Sequence, residues 1–132
     1  MTDLVIVVAA AVVERDGRFL ITRRQSGVHL EGLWEFPGGK CADGESLAAC
    51  LARELEEELA VPSDVGAEIL TTVHDYPGKR IELHFFKCQL KSEPAPQLGQ
   101  EMRWVAPGEL DALEFPPADA ELIEQLRRRG VS

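Results

Sequence analysis

The segment that most restricts how this chain can fold runs from Gly38 to Val61. It follows Pro37 with Gly38-Gly39, a sequence that breaks a regular strand, and then places Ser46 ahead of apolar residues at Ala48, Leu51, Ala52, Leu55 and Leu59. That spacing has the helical period, and serine is a favoured N-cap because its hydroxyl accepts from a first-turn amide that has no helical partner. A loop and then a helix from Ser46 to about Leu59 are expected, with the apolar stripe lying on a larger body. The same helix carries Glu54, Glu56, Glu57 and Glu58 within five positions. At about 100° per residue Glu54, Glu57 and Glu58 share one face, while Glu56 points elsewhere. Like charges at this spacing cost a helix roughly a few tenths of a kcal/mol per pair, a loss that a bound hard cation would offset. Magnesium takes oxygen ligands in octahedral geometry and keeps sites for water and substrate phosphate, which suits such a cluster. Arg53 can orient one of the carboxylates. Acidic helix faces are more often merely solvated. The argument for a site is the turn before the helix, Glu45 in the loop, and an apolar stripe about a quarter turn from the carboxylates.

The remaining chain supplies a sheet. Leu4 to Glu14 is apolar and β-branched, and Phe19 to Arg24 resumes after Asp16-Gly17, a dipeptide that accepts positive φ in a tight hairpin. Ile69 to Tyr76 and Ile81 to Leu90 form a second expected hairpin around Pro77-Gly78. Met102 to Val105 reads as a short strand and Trp34 to Phe36 as another extended piece, with loops at Ser92 to Gln97 and Pro107 to Pro117. A second helix is expected from about Asp119, after Pro116-Pro117, to Arg129, its end marked by Arg127, Arg128 and Arg129 before Gly130. For 132 residues this is one domain of α+β class, a mixed sheet with helices packed on it.

Charge and cysteines narrow the function. Twenty-three acidic residues against fourteen Lys and Arg give a net charge of −9, which disfavours a nucleic-acid polymer. A small phosphorylated ligand remains open, because divalent cations can sit between carboxylates and phosphates. The longest apolar stretch, Leu4 to Val13, falls short of the roughly twenty residues of a membrane helix, and Asp3 stands where a secretory leader carries positive charge. Cys41, Cys50 and Cys88 are odd in number and lack CxxC spacing, so free, packed thiols and a reducing cytoplasm are expected. His29, His74 and His84 show no metal spacing. Gly39-Lys40 is no P-loop, since Trp34 stands where its first glycine belongs and Cys41 follows the lysine. No serine nucleophile elbow occurs.

Gly39, Glu45, Arg53, Glu54, Leu55, Glu57, Glu58 and Val61 fall in register with G-x5-E-x7-R-E-U-x-E-E-x-G-U, and in this the chain resembles the Nudix hydrolases. The six polar and glycine matches have a chance expectation on the order of 10⁻⁴ per chain. The late glycine of the box is Ala60 here, which predicts a helix end that differs or costs about 1 kcal/mol. Ile21-Thr22-Arg23-Arg24, Trp34 to Lys40 and Phe115 to Ala118 extend the likeness to the MutT-like branch over nearly the whole chain.

The resemblance implies a single domain over 1–132, with the box at 39–61, folded as an α/β/α sandwich with a mixed β-sheet between helices. It implies hydrolysis of (d)NTP to (d)NMP and pyrophosphate with Mg²⁺, or Mn²⁺ as an alternative, commonly on oxidised or modified nucleotides such as 8-oxo-dGTP or (d)CTP. Glu54, Glu57 and Glu58, with Gly38, would hold the metal, and Arg24 and Lys40 would meet phosphate. The base pocket would lie among Phe36, Tyr76, Lys79 and Asp119, although core packing, cover of the turn, an exposed turn cation and a helix N-cap are their respective plainer roles. Where MutT has asparagine this chain has Asp119, which when ionised only accepts, favouring the amino group of cytosine or the N1 and N2 groups of guanine. Protonation would loosen that preference. The family's loop glutamate falls at Leu98; Glu101, three residues on, is the substitute, so the general base stands open between Glu54 and Glu101. Expected company is a small nucleotide, with no polymer and no membrane, for a cytoplasmic monomer or weak dimer. The alternatives are a hydrolase of dinucleoside polyphosphates or nucleotide-diphosphate sugars, and a non-catalytic nucleotide-binding module, which Leu98 keeps open.

Overall fold

In the computed structural model, which describes residues 4–25, 27 and 31–131, the order of elements is set by one strand that is apolar on both sides. β1 (Leu4–Arg15) pairs in parallel with β6 (Lys79–Leu90) over ten positions, from Leu4 opposite Lys79 to Val13 opposite Cys88. Its other edge meets β4 (Gly38–Lys40) antiparallel through Val8 to Ala10, and its end turns through Asp16-Gly17 into β2 (Arg18–Arg23). Asp16 and Gly17 both take positive φ, 53° and 76°, as the tight hairpin requires. β2 pairs with β3 (Trp34–Glu35) on one side and β7 (Met102–Val105) on the other. β5 (Ser63–Tyr76) closes the far edge against β6.

Alternation along β1 splits the core in two, because successive side chains leave a strand on opposite faces. Ala9, Ala11 and Val13 pack with Leu51, Leu55 and Leu59 of α1 (Leu47–Leu59). Ala10 and Val12 pack with Phe19, Ile21, Phe85, and Leu122 and Leu126 of α2 (Ala120–Val131). The sheet thus lies between two helices. Truncating a fully buried leucine such as Leu55 would remove this contact at a cost of about 2–5 kcal/mol.

α1 starts where its sequence puts it: Ser46 has extended backbone and its hydroxyl accepts from the Ala49 amide at 3.1 Å. It ends at Ala60, which takes the left-handed conformation (φ 52°) and donates its N–H to Glu56 O at 3.0 Å. The alanine therefore reproduces the glycine ending with a strained residue. The carbonyls of Glu58 and Leu59 accept from Gln97 and Ala95 amides at 2.9 and 2.8 Å, which docks the 92–100 loop on the helix end.

Several expectations need correction. Cys50 is buried and Ala48 exposed, so the buried stripe of α1 is turned from the one expected. Cys41 and Cys50 are not free thiols but form a disulfide, with Cα atoms 5.3 Å apart, while Cys88 is free and buried. Their nine-residue separation looked unremarkable because only the return of the chain along β4 brings them together. Gly38–Lys40 is a strand rather than a break, β5 begins at Ser63 rather than Ile69, Pro107–Ala112 is a 3₁₀ turn inside an expected loop, and Pro117–Asp119 is another that leads from its end into α2. His29 lies outside the described residues.

Candidate functional site

β4 and the first half of α1 approach so closely that no side chain fits between them. A Cβ on Gly39 would overlap the Glu54 carboxylate, and one on Gly38 would overlap the Ala9 carbonyl of β1. Gly39 thus lets the helix glutamate lie against β4, and Gly38 lets β4 lie close against β1. Arg53 fixes the outer side: Nε and Nη2 form a two-pronged pair with Glu45 at 2.8 and 3.0 Å. Nη1 reaches Glu54 at 2.9 Å and Glu57 at 3.2 Å, and Nη2 also reaches Lys40 O at 3.2 Å. Hydrogen bonds from Arg53, and then from the Ala42 amide, hold the Glu45 carboxyl down at about 2.

Behind this lies an inner row of charge. Glu58 is pushed up to about 8 by burial first, then by the negative charges of Glu35 and Glu54; the Gly38 N–H and Arg24 oppose the rise. Glu35, on β3, is raised by burial against the opposing pull of Arg24, whose Nη1 donates to it at 2.7 Å. Asp119 is only 4% exposed, and burial, then Glu35, push it to about 7 while Arg24 pulls it back. Asp119 in turn acts on Tyr76, whose phenol is raised by burial and by that carboxylate. A hydrogen bond from Thr72 Oγ1 to Ala118 O (3.1 Å) ties β5 to this end. Charge thus links Glu58 with Glu54, Glu35 and Arg24, and Glu35 and Arg24 in turn with Asp119, a track from the helix carboxylates to the buried one. A cleft of about 140 Å³ opens on it, lined by Thr22, Arg24, Glu35, Glu58, Leu98 and Gln100 among others.

The expected residues fall into three groups. Glu54, Glu58, Gly38, Arg24, Asp119 and Tyr76 lie along the track. Glu57 stands at the outer end: its side chain is 59% exposed and accepts from the same Arg53 Nη1 as Glu54, while Glu35 joins Glu54 and Glu58 on the inner side. Lys40 is exposed and contributes its carbonyl to Arg53, and the Lys79 ammonium sits 5.6 Å over the Tyr76 ring. Phe36 is 4% exposed, edge-on to Phe85 and stacked on Phe115 at 5.6 Å, so its ring is core wall. Glu101 is directed to Arg23 (3.4 Å) and Arg103 (3.2 Å). Leu98 is exposed at the rim of the cleft. Sequence reasoning missed Glu35; its signal was an acidic residue inside the otherwise apolar Trp34-Glu35-Phe36 strand.

The donor set suits a hard divalent ion, since all its side-chain groups are carboxylates and burial, then the charges of Glu35 and Glu54, lift Glu58. Among the described residues no three His, Cys, Asp or Glu side chains are gathered as a ready-made metal cluster, and Arg53 holds Glu54 and Glu57 through one nitrogen.

The sequence and the fold both have known relatives. The family model for the NUDIX domain matches residues 8–125. The chain is 37% identical over 120 residues to a CTP pyrophosphohydrolase of Escherichia coli (strain K12), covering 89% of this chain and 87% of that protein. It is 38% identical over 129 residues to an 8-oxo-dGTP diphosphatase of Haemophilus influenzae, covering 96% and 94%. The solution structure of a MutT protein from methicillin-resistant Staphylococcus aureus superposes with a TM-score of 0.81 at 32% identity, covering 98% of this chain and all of that one. A MutT crystal structure from Methanosarcina mazei, at 23% identity, shares the fold with a TM-score of 0.86 over 100% and 99% of the two chains.

Proposed function

This chain belongs to the Nudix family, and on that premise we propose how it works as a nucleotide pyrophosphohydrolase. One observation carries the reading: the track that leads from the box carboxylates Glu54 and Glu58 past Arg24 to a buried carboxylate, Asp119. The span suits a ligand with phosphates at one end and a hydrogen-bonding ring at the other. The substrate is a nucleoside triphosphate, cleaved to monophosphate and pyrophosphate, and its base is oxidised or otherwise modified guanine or cytosine. The whole of 1–132 acts as one domain on free nucleotides, consistent with a net charge of −9.

Glu54, Glu58 and the Gly38 backbone are the groups we assign to Mg²⁺, with Glu57 reaching it from the helix surface. The ion, when bound, neutralises phosphate oxygens and lowers the pKa of a coordinated water. Arg53 keeps one Glu54 oxygen occupied at 2.9 Å, which leaves the other for the site. We assign the general base to Glu54 rather than Glu101, whose carboxylate is engaged by two arginines. Arg24 neutralises phosphate charge, and Glu35 aims it through their 2.7 Å pair. Water exclusion falls to the 92–100 loop docked on α1.

Asp119 reads the base. Because burial pushes it to about 7, it is mixed near neutral pH, and its protonated form can donate as well as accept, as an amide does. Initial rates of pyrophosphate release across CTP, 5-substituted dCTP, dGTP and 8-oxo-dGTP test this in wild type and Asp119→Asn. The substitution should lower cytidine relative to guanine nucleotides; an unchanged ranking would remove Asp119 from base recognition.

A further inference from the structure

We propose that the Cys41–Cys50 disulfide is a reversible clamp on the loop between β4 and α1, opened and closed by thiol–disulfide exchange at Cys41. The bond closes a ring over Ala42 to Ala49, the loop and the first residues of α1, and that loop carries Glu45, which holds Arg53 with both oxygens. Each cysteine is anchored to a different wall of the site. Cys41 follows β4 directly and donates its N–H to Val7 O of β1 at 2.9 Å, while Cys50 sits fully buried in the first turns of α1 with Sγ 3.8 Å from Gly39 O. The bond therefore joins the two elements between which Glu54 rests against Gly39. Its accessibility is one-sided. Cys41 is half-buried and lines an open cleft of about 410 Å³ with Lys40, Asp43 and Glu45, whereas Cys50 is fully buried, so Cys41 is the side of the bond nearer solvent. Cys88 is a bystander, 4% exposed, with burial pushing its thiol to about 11.

The exchange balances with a dithiol as reductant. A reagent thiolate attacks Cys41 Sγ, the protein S–S bond breaks, and Cys50 leaves as a thiolate that takes up a proton. The second reagent thiol then closes on the mixed disulfide, freeing Cys41 and a cyclic disulfide, so two electrons and two protons have passed to the protein. A small disulfide such as oxidised glutathione reverses the sequence. The effect on turnover rests on the hydrolase reading above, and it has a chemical logic: conditions that oxidise nucleotide bases are those that close the clamp.

The test uses the full chain equilibrated with oxidised glutathione or with dithiothreitol, followed by thiol alkylation and mass measurement, hydrogen exchange over residues 39–46, and pyrophosphate release. Closed protein should expose no reactive thiol until unfolded, and reduced protein should alkylate at Cys41 and then Cys50. Reduction should speed exchange of the loop amides by about tenfold or more, since the clamp limits local opening, and turnover should fall several-fold. Cys41→Ser/Cys50→Ser should match reduced wild type in both media; should that variant not fold, reduced wild type alone supplies the comparison. Alkylation of Cys41 and Cys50 in the oxidised sample, or loop exchange indifferent to dithiothreitol, would overturn the clamp. Exchange that responds to redox while neither form hydrolyses nucleotide would uphold the clamp and sink the hydrolase reading.

Discussion

Arg53 donates to five oxygens, from Glu45, Glu54, Glu57 and the Lys40 backbone, using the fixed fork of its guanidinium. Lysine keeps the charge but cannot reproduce that geometry. Arg53→Lys should therefore lower kcat by about 10–100-fold with a smaller change in KM, as loss of an orienting partner does; steady-state rates at saturating Mg²⁺ decide it. Asp119 gives a stability prediction with a definite sign. Its folded pKa, about 7, lies above the ordinary carboxylate value, so the folded chain holds the proton more tightly and stability falls as pH rises from about 4 to 7. Asp119→Asn should accordingly raise Tm at pH 8 and leave it nearly unchanged at pH 4 in thermal melts. At this scale the box residues were legible because their spacing on one helix brings them together. Glu35 was not, because its meaning comes from Arg24, Glu58 and Asp119, each on a different element. For Glu57, helical periodicity gave its face but not the bond from Arg53 that it shares with Glu54.

The helix α1 was legible from end to end, through its Ser46 cap, its period and its odd last residue. Ala60 carries left-handed strain that glycine lacks, so Ala60→Gly should stabilise the chain by about 0.5–1 kcal/mol in denaturant titrations while leaving activity intact. The β5–β6 hairpin offers a pH test. His84 lies between Glu68 (2.9 Å) and Glu82 (2.8 Å). Burial pulls its pKa down, but the two carboxylates outweigh burial and raise it. A raised folded pKa means that its stabilisation is full below the unfolded value of about 6.5 and is lost as pH climbs through the folded value. His84→Gln should flatten that part of the stability curve, and a slope identical to wild type between pH 5 and 9 would contradict it. Strand ends were less legible than helix ends. β4 has only glycines and a lysine, and it is a strand because β1 supplies partners for its backbone, which no local pattern announces. The disulfide was hidden by the same non-local pairing.

For the whole molecule, β1 explains why class and layering could be read: a strand apolar from Leu4 to Val13 needs cover on both faces, and two amphipathic helices were available. The parallel pairing of β1 with β6, across most of the chain, had no local signature. That pairing builds the middle of the sheet that α1 covers on one face and α2 on the other, and the central claim is that Glu54 and Glu58 work with Mg²⁺ on a nucleotide whose base is held at Asp119. The most direct measurement is product analysis of 8-oxo-dGTP and CTP incubated with wild type and Glu54→Gln, with Mg²⁺ and with EDTA. Wild type with Mg²⁺ should give monophosphate and pyrophosphate in equal amounts, with no activity in EDTA and a rate in Glu54→Gln lower by about a thousandfold, as expected when both base and ligand are lost. Orthophosphate as the product, or a Glu54→Gln rate equal to wild type, would contradict the account.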